Sequence, residues 1–458
     1  MAGINELRGQ VRGPVVMADD DGYDVARKVY NGMHDRRPGV IVQAVDEADV
    51  IAAVRLAREN ALELAVRGGG HSVPGYGTCD DGLVLDLSRI RYVRVDPEAR
   101  TARVGGGAVL GDLDHATYPF GLATPAGLNS TTGIGGLTLG GGFGPYLSRK
   151  HGLTCDNLIS ADVVTAEGRR VTASAEENQD LFWALRGGGG NFGVVTSFEL
   201  RLHPLDSLVG GPIFFELDAA PEVMRVFRDY TAQAPRELGG FFGFQIAPPL
   251  PFIPEDRHDD TLCVIVASWC GAPENADDML RPLREAGPVV AEHVGPIPYP
   301  MLQSAFDPLL PPGLQHYWKS DFLADLTDEA ILVHMEHGPA VPYVSSTIHL
   351  YLLDGAVHDV GPKETAFPTR NARFVLNIIG IWPDPKDNEK NIAWVRDYYA
   401  AIHPFSGYEA GYTNFMAEDD RDRVRANYGA NLDRLKEIKT RWDPDNLFHR
   451  NQNIEPGG

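Results

Sequence analysis

Val66-Arg67-Gly68-Gly69-Gly70-His71-Ser72 is the stretch on which the reading of this chain turns. It follows a short apolar run (Leu62, Leu64, Val66) and opens a loop in which three successive residues have no side chain. Such a loop lets backbone N–H groups approach a ligand closely and gather into an anion-binding nest. Arg67 is expected to add positive charge at the loop entrance, and His71 brings an imidazole nucleophile to its end. A polar turn would use the same glycines. Two further glycine sets argue for more: Gly133-Ile134-Gly135-Gly136 through Gly140-Gly141-Gly142-Phe143-Gly144, and Gly187 to Gly190. Three such loops within one region imply an extended ligand lying against backbone in several places.

The chain of 458 residues is long enough for two or three structural units. Its net charge of −22, from 41 basic and 63 acidic residues, argues against nucleic acid or an anionic membrane as partner, because both need a basic footprint. The first thirteen residues carry no apolar leader core, and no run of about 18 apolar residues occurs, so a cytoplasmic location and no membrane span are expected. Cys79, Cys155, Cys263 and Cys270 have no paired spacing, which predicts neither a disulfide framework nor a zinc site. No histidine-rich geometry suggests another metal.

Outward from the His71 loop, Asp46 to Asn60 reads as an amphipathic helix with Val50, Ile51, Val54 and Ala57 on one face. Leu62–Val66, Gly82–Leu87 and Ala102–Val104 read as strands, and Ala108–Phe120 as a helix ended by Gly121. Leu158–Thr165 and Arg170–Ala173 read as a hairpin about Glu167-Gly168. Leu181–Arg186 reads as a short helix and Val194–Leu202 as a strand. Composition changes near His203-Pro204. Beyond it, apolar runs at Leu262–Trp269, Ile348–Leu353 and Phe374–Trp382 alternate with charged helical stretches, as in an antiparallel sheet with helices on one face. A charged helix is expected within Asn427–Asn453. The fold class expected is α+β.

The ordered set of motifs resembles the flavoprotein oxidases of the vanillyl-alcohol oxidase superfamily, in particular the bacterial branch of the berberine-bridge-enzyme-like family. It is carried by Arg67–Ser72, Gly133–Gly144, Asp156-Asn157-Leu158, Leu181–Gly189, Gly193–Thr196, Tyr412-Thr413-Asn414-Phe415 and the closing Asp443-Pro444 to Asn451-Gln452-Asn453-Ile454. The match runs from about residue 35 to the end.

The resemblance implies a PCMH-type two-part FAD-binding domain over residues 1–203, a substrate domain over 204–410 and a C-terminal segment, 411–458, that returns to the FAD domain. It implies that His71 is bonded covalently to the flavin 8-methyl carbon; a loop histidine bonded to its own turn is the plain alternative. Flavin contacts are implied for Arg67, Gly68, Gly69, Gly70, Ser72, Tyr76, Gly127, Thr131, Thr132, Gly135, Gly136, Leu137, Thr138, Gly141, Gly142, Val194, Val195, Tyr412 and Asn414. Many relatives carry a second tether, a cysteine, where this chain has Asn129, so one tether is expected and Cys155 is read as a small buried side chain near the cofactor. Leu137 stands where plant relatives often have a histidine. Thr132 falls at the position whose size governs oxygen access.

Oxidation of a C–H bond requires a substrate carbon near the flavin and a base for the neighbouring proton. Tyr412 matches the family's Tyr-x-Asn motif and is the candidate base; packing is its plain alternative. A free tyrosine has a pKa of about 10, so its environment must perturb it or link it to a hydrogen-bond chain. Asn414 would point the same way two residues along a strand-like stretch. Trp318, Lys319, Tyr343, His349 and Tyr351 are the candidate substrate-contact residues, with ordinary sheet packing as alternative, and Tyr428 reads as structural. The expectation is an oxidase that takes electrons from an alcohol, amine or sugar-type carbon of a small molecule, of natural-product type, and passes them to O2. A monooxygenase-like or dehydrogenase reaction, an oligosaccharide oxidase, or a flavin-binding protein without turnover are alternatives. Monomer and homodimer stay open.

Overall fold

The computed structural model describes residues 7–205 and 208–457. The first six residues and Gly458, included in the domains expected above, lie outside them. The first sheet contains β1 (Val15–Val16), β2 (Val40–Gln43), β3 (Leu64–Arg67) and β4 (Leu83–Asp86), in the order β1-β2-β4-β3. β4 runs parallel to both β2 and β3. Parallel connections need a crossover, and the helix Glu47–Glu59 supplies one between β2 and β3. Asp46 caps that helix by accepting the Asp49 N–H, and Val50, Ala53, Val54 and Ala57 are its buried face. Ile51, expected on that face, is half-buried.

The next strands are β5 (Val93–Asp96), β6 (Thr101–Gly105), β7 (Leu122–Ala123), β8 (Leu158–Val164), β9 (Arg170–Ser174) and β10 (Val194–Arg201). All but β7 form an antiparallel sheet, β5-β6-β10-β8-β9, while β7 pairs with β11 (His203–Pro204). The expected hairpin is present: β8 pairs with β9, and Gly168 turns the chain at φ +67°. The helix expected over Ala108–Phe120 is α only at Leu110–Thr117 and continues as a 3₁₀ turn, Tyr118–Phe120, before Gly121. Pro119 has no N–H to continue the α-helical ladder.

The third sheet is larger. β12 (Leu208–Phe215), β13 (Leu238–Ile246), β14 (Thr261–Trp269), β15 (Val289–Glu292), β16 (Gly295–Ile297), β17 (Gln315–Leu323), β18 (Thr347–Leu352) and β19 (Phe374–Trp382) pair in the order β15-β12-β14-β13-β18-β19-β17, with β16 also on β12. Every pairing is antiparallel. An antiparallel sheet often alternates apolar and polar residues, but these strands read as continuous apolar runs because both faces are covered. Phe242 and Phe244 pack with Val223, Phe227, Leu280, Ile331 and Val395 of the helices behind. Phe241, Tyr351 and Val375 face Phe143, Tyr146 and Leu147 of the first half instead.

The tail returns to the first half. In the helix Leu432–Trp442, Leu435, Ile438 and Trp442 share a core with Leu181, Trp183 and Leu185. Lys439, fully buried, pairs with Asp443 at 2.6 Å and donates to Asn191 O and Phe448 O, so the buried charge is satisfied on every side. Thr413–Phe415 is a 3₁₀ turn and not the strand expected there. Among the described residues no helix is long and apolar enough to cross a membrane.

Candidate active site

The β3–β4 register sets Arg67 opposite Asp86. Arg67 donates to Asp86 at 2.9 Å and to the carbonyls of Ala26 and Lys28, and it is 6% exposed. The positive charge expected at the loop entrance is therefore matched by a buried carboxylate, and the guanidinium anchors the root of the loop. Gly69 then meets the second glycine set. A Cβ on Gly69 would lie 2.4 Å from the Gly133 nitrogen, and one on Gly133 would lie 2.3 Å from the Gly69 nitrogen. Only two glycines let these backbones touch.

One continuous cavity runs along these loops and under the large sheet. Of the expected cofactor residues, Arg67 to Ser72, Tyr76, Gly127, Thr132, Gly135, Gly136, Leu137, Val194, Val195, Tyr412 and Asn414 line it. Thr131, Thr138, Gly141 and Gly142 do not. The Thr131 hydroxyl meets His71 Nε2, and Gly142 gives its N–H to Tyr412. Gly141 packs its α carbon toward the Phe367 ring, and Thr138 is fully buried.

His71 stacks on Tyr30, ring centroids 3.8 Å apart and planes 19° from parallel. Its Nε2 lies 2.9 Å from the Thr131 hydroxyl. Burial pushes the imidazole pKa down to about 4, so the ring is neutral, and nucleophilic, at neutral pH. Asn129 bonds Thr131 and Tyr30. Cys155 is fully buried in the core with Phe143 and Tyr412 and does not line the cavity; burial raises its thiol pKa, which keeps it unreactive.

Tyr412 lines the same cavity. Its oxygen accepts the Gly142 N–H and the Asn414 side-chain N–H, each at 2.9 Å. Both donors favour a phenolate, yet full burial outweighs them and raises the phenol pKa. The group expected as a proton acceptor is thus a protonated phenol across the physiological range. Asn414 reaches that oxygen from a 3₁₀ turn, so the expected proximity arises by a different geometry.

Trp318, His349 and Tyr351 line the cavity from the sheet, but Lys319 and Tyr343 do not. Successive strand residues face opposite ways, so Trp318 and Lys319 cannot both look inward. Lys319 turns away to Asp419 at 3.0 Å and Asp420 at 2.6 Å. Tyr343 lies before β18 and is 39% exposed. His349 Nδ1 meets the Tyr351 hydroxyl at 2.5 Å.

Sequence reasoning missed His316, Asn377, Gln245, Thr347, Phe306, Phe415 and the tail residues Arg450, Asn451 and Gln452, all of which line the cavity. Strand alternation from Trp318 was a usable signal for His316. Asn377 lies beside His349 only through β18–β19 register. Burial holds His316 and His349 near pKa 3, hence uncharged. Among the described lining residues there is no carboxylate and no lysine; the two arginines are Arg67, paired with Asp86, and Arg450, salt-bridged to Glu63 and bonded to Thr78 O.

The chemistry of the lining suits a long, multi-part ligand such as FAD. Glycine backbone from three loops supplies close-approach N–H surface, and Asn451 and Gln452 present buried side-chain oxygens without partners beside Gly189 and Gly190.

Two family models match the chain, one described as FAD binding domain over residues 38–174 and one as berberine and berberine like over residues 411–455. An FAD-linked oxidoreductase of Dictyostelium discoideum is 31% identical, over 99% of this chain and 97% of its own length. (R)-6-hydroxynicotine oxidase of Paenarthrobacter nicotinovorans is 30% identical, with 98% of each chain covered. The crystal structure of 6-hydroxy-D-nicotine oxidase from Arthrobacter nicotinovorans superposes with a TM-score of 0.87 at 28% identity, covering 98% of both chains.

Proposed function

The chain belongs to the berberine-bridge-like FAD-linked oxidoreductases, and from that premise we propose that it is an oxidase of a small, uncharged organic molecule, with O2 as electron acceptor. It carries FAD on a single covalent bond through His71. Residues 1–203 and 411–458 hold the cofactor, and 204–410 roof the substrate. Bound FAD supplies a two-electron acceptor for hydride from a C–H bond.

The observation that carries the reading is the uncharged lining. His316 and His349 are neutral, and Lys319 is turned away. An ionised substrate would enter this cavity with no counter-charge and lose its hydration there. A neutral amine or alcohol of natural-product type meets Trp318, Phe306 and Phe415 on its apolar faces. It finds His316, His349 and Asn377 for its polar groups. Tyr412, protonated and fixed by Gly142 and Asn414, orients the reacting group as a hydrogen-bonding partner rather than as a standing base. For an amine substrate, the free base is the form that binds.

Stopped-flow absorbance tests the acceptor. The enzyme, reduced anaerobically by a substrate found in a panel of neutral amines and alcohols, is mixed with O2. Rapid reoxidation with one H2O2 per flavin is expected. Slow reoxidation in air, restored by a quinone dye, would identify a dehydrogenase.

A further inference from the structure

The inner face of the large sheet carries polar atoms that no other described residue engages. Asn377, on β19, is 1% exposed, and its Oδ1 is buried without a partner among the described residues. No described residue bonds its Nδ2 either. The amide therefore offers one acceptor and one donor side by side, and turning it over exchanges the two and keeps the pair. His349, on β18, stands directly opposite Asn377 in the strand register, so the two side chains start about 5 Å apart on one face. Tyr351 is buried and kept protonated by burial, and among the described residues its hydroxyl bonds only His349 Nδ1, at 2.5 Å. Were Nδ1 the donor, the Tyr351 hydrogen would be orphaned in the interior. Tyr351 therefore donates, and His349, held neutral by burial, carries its proton on Nε2. On the other side of Asn377 stands Ser320, whose Oγ accepts the Tyr412 N–H at 3.3 Å. The free donors and acceptor thus lie in the row of the sheet that ends at Tyr412. Trp318 and Ile379 fill the next row, and Trp318 meets Phe415 edge-on, so aromatic and apolar surface adjoins the amide.

We propose that Asn377 and His349 form a subsite for a carboxamide or lactam group, which the substrate carries in addition to the carbon that is oxidised. The proposal rests on the reading of this cavity as the substrate site of an FAD oxidase. A ligand that displaces solvent here must replace its hydrogen bonds. A carboxamide or lactam does so. Its carbonyl oxygen has two lone pairs, one for Asn377 Nδ2–H and one for His349 Nε2–H, and its N–H meets Asn377 Oδ1. Primary carboxamides and lactams hold that N–H on the same side as the carbonyl oxygen, whereas an open-chain secondary amide, being trans, does not. A ketone, ester or ether supplies acceptors only and leaves Oδ1 unpaired in a buried site. A lone hydroxyl serves one end of the Asn377 amide. A carboxylate also leaves Oδ1 unpaired and adds a charge, while both arginines of the lining are already paired.

Isothermal titration calorimetry of the oxidised holoenzyme reads this subsite without turnover. Two pairs of probes differ in the N–H: benzamide against acetophenone, and δ-valerolactam against cyclohexanone. Expected is a Kd at least about tenfold lower for the amide of each pair, the discrimination of a site built to bond an N–H. Asn377→Leu, its folding checked by flavin absorbance and circular dichroism, should bring the members of each pair to within about twofold. Equal Kd values within the wild-type pairs, no measurable amide binding, or a preference kept in Asn377→Leu would overturn the proposal. Benzoate binding more tightly than benzamide would do the same. The wild-type comparison decides alone if the variant does not fold. These results leave the acceptor question untouched, whereas slow reoxidation by O2 would overturn the oxidase reading and leave the subsite standing.

Discussion

Tyr412 and Asp114 are both buried acids with raised pKa values, and the difference between them is instructive. The Tyr412 oxygen receives two donors, so Tyr412→Phe leaves the Gly142 N–H and the Asn414 amide unpaired in the interior. A loss of about 1–3 kcal/mol in urea unfolding is expected. Flavin reduction under single-turnover conditions should slow about tenfold or more, about 1.4 kcal/mol of barrier; an unchanged rate would remove Tyr412 from the reacting face. Asp114 has no compensating donor at Oδ2, and burial lifts its pKa to about 8. Folded, it keeps a proton that the unfolded chain loses near pH 4. Stability therefore falls as pH rises through that window and levels off above pH 8, by up to about 1.4 kcal/mol per pH unit. Asp114→Asn should raise the melting temperature at pH 8, with the gain shrinking toward pH 4; a pH-independent difference would contradict this. That His71 and Tyr412 border the cavity was legible in the sequence because glycines and a short motif mark them. Asp114 and Asn377 were not, because nothing local distinguishes them from other polar residues.

At the level of elements, β17 separates two kinds of polar residue. Trp318 and His316 face the cavity; Tyr317 and Lys319 face the other way, toward Asp419. Lys319→Met strands the buried Asp420 beside a partly exposed Asp419 and should cost about 3 kcal/mol in stability. It should leave KM within about twofold, since a surface turned from the cavity contributes no substrate contact. Trp318→Ala should do the reverse and raise KM about tenfold or more, the expected cost of an aromatic contact worth about 1.4 kcal/mol. The glycine loops form a second paired element. Gly69→Ala drives a methyl into the Gly133 backbone, which no rotamer change relieves, and the purified protein should carry little or no flavin by absorbance near 450 nm. Three strands of the large sheet, β14, β18 and β19, were readable to within a residue because their apolar runs are long, whereas β12, β13, β15, β16 and β17 were not read from the sequence. The 3₁₀ turn at Thr413–Phe415 was not, because three residues do not distinguish it from a strand.

Across the whole molecule, the cavity is closed by segments far apart in the chain. Arg450 donates to Thr78 O at 2.7 Å and Asn451 to Gly190 O at 3.1 Å, so the tail clamps the loop that follows the first glycine set and the third glycine set. The Lys439–Asp443 pair orders the turn that begins this clamp. The α+β class followed from the alternation of elements, but the tail's return was legible only through family resemblance. The inner surface of the large sheet was illegible because register decides which side chains meet. An uncharged cavity also predicts the pH profile of an amine substrate: kcat/KM should rise with pH and level off at the pKa of the amine itself, and shift when amines of different basicity are compared. A limb fixed at one pH for all substrates would point to an ionising enzyme group instead.

The central claim is that this chain is an FAD enzyme tethered once, at His71. It is tested most directly by acid precipitation of the purified protein followed by tryptic mapping with fragment-ion sequencing. The account predicts that flavin absorbance stays with the polypeptide, on the peptide beginning at Gly68, and that fragmentation assigns it to His71 alone. Flavin released free into the supernatant, or found on the peptide that contains Cys155, would contradict it.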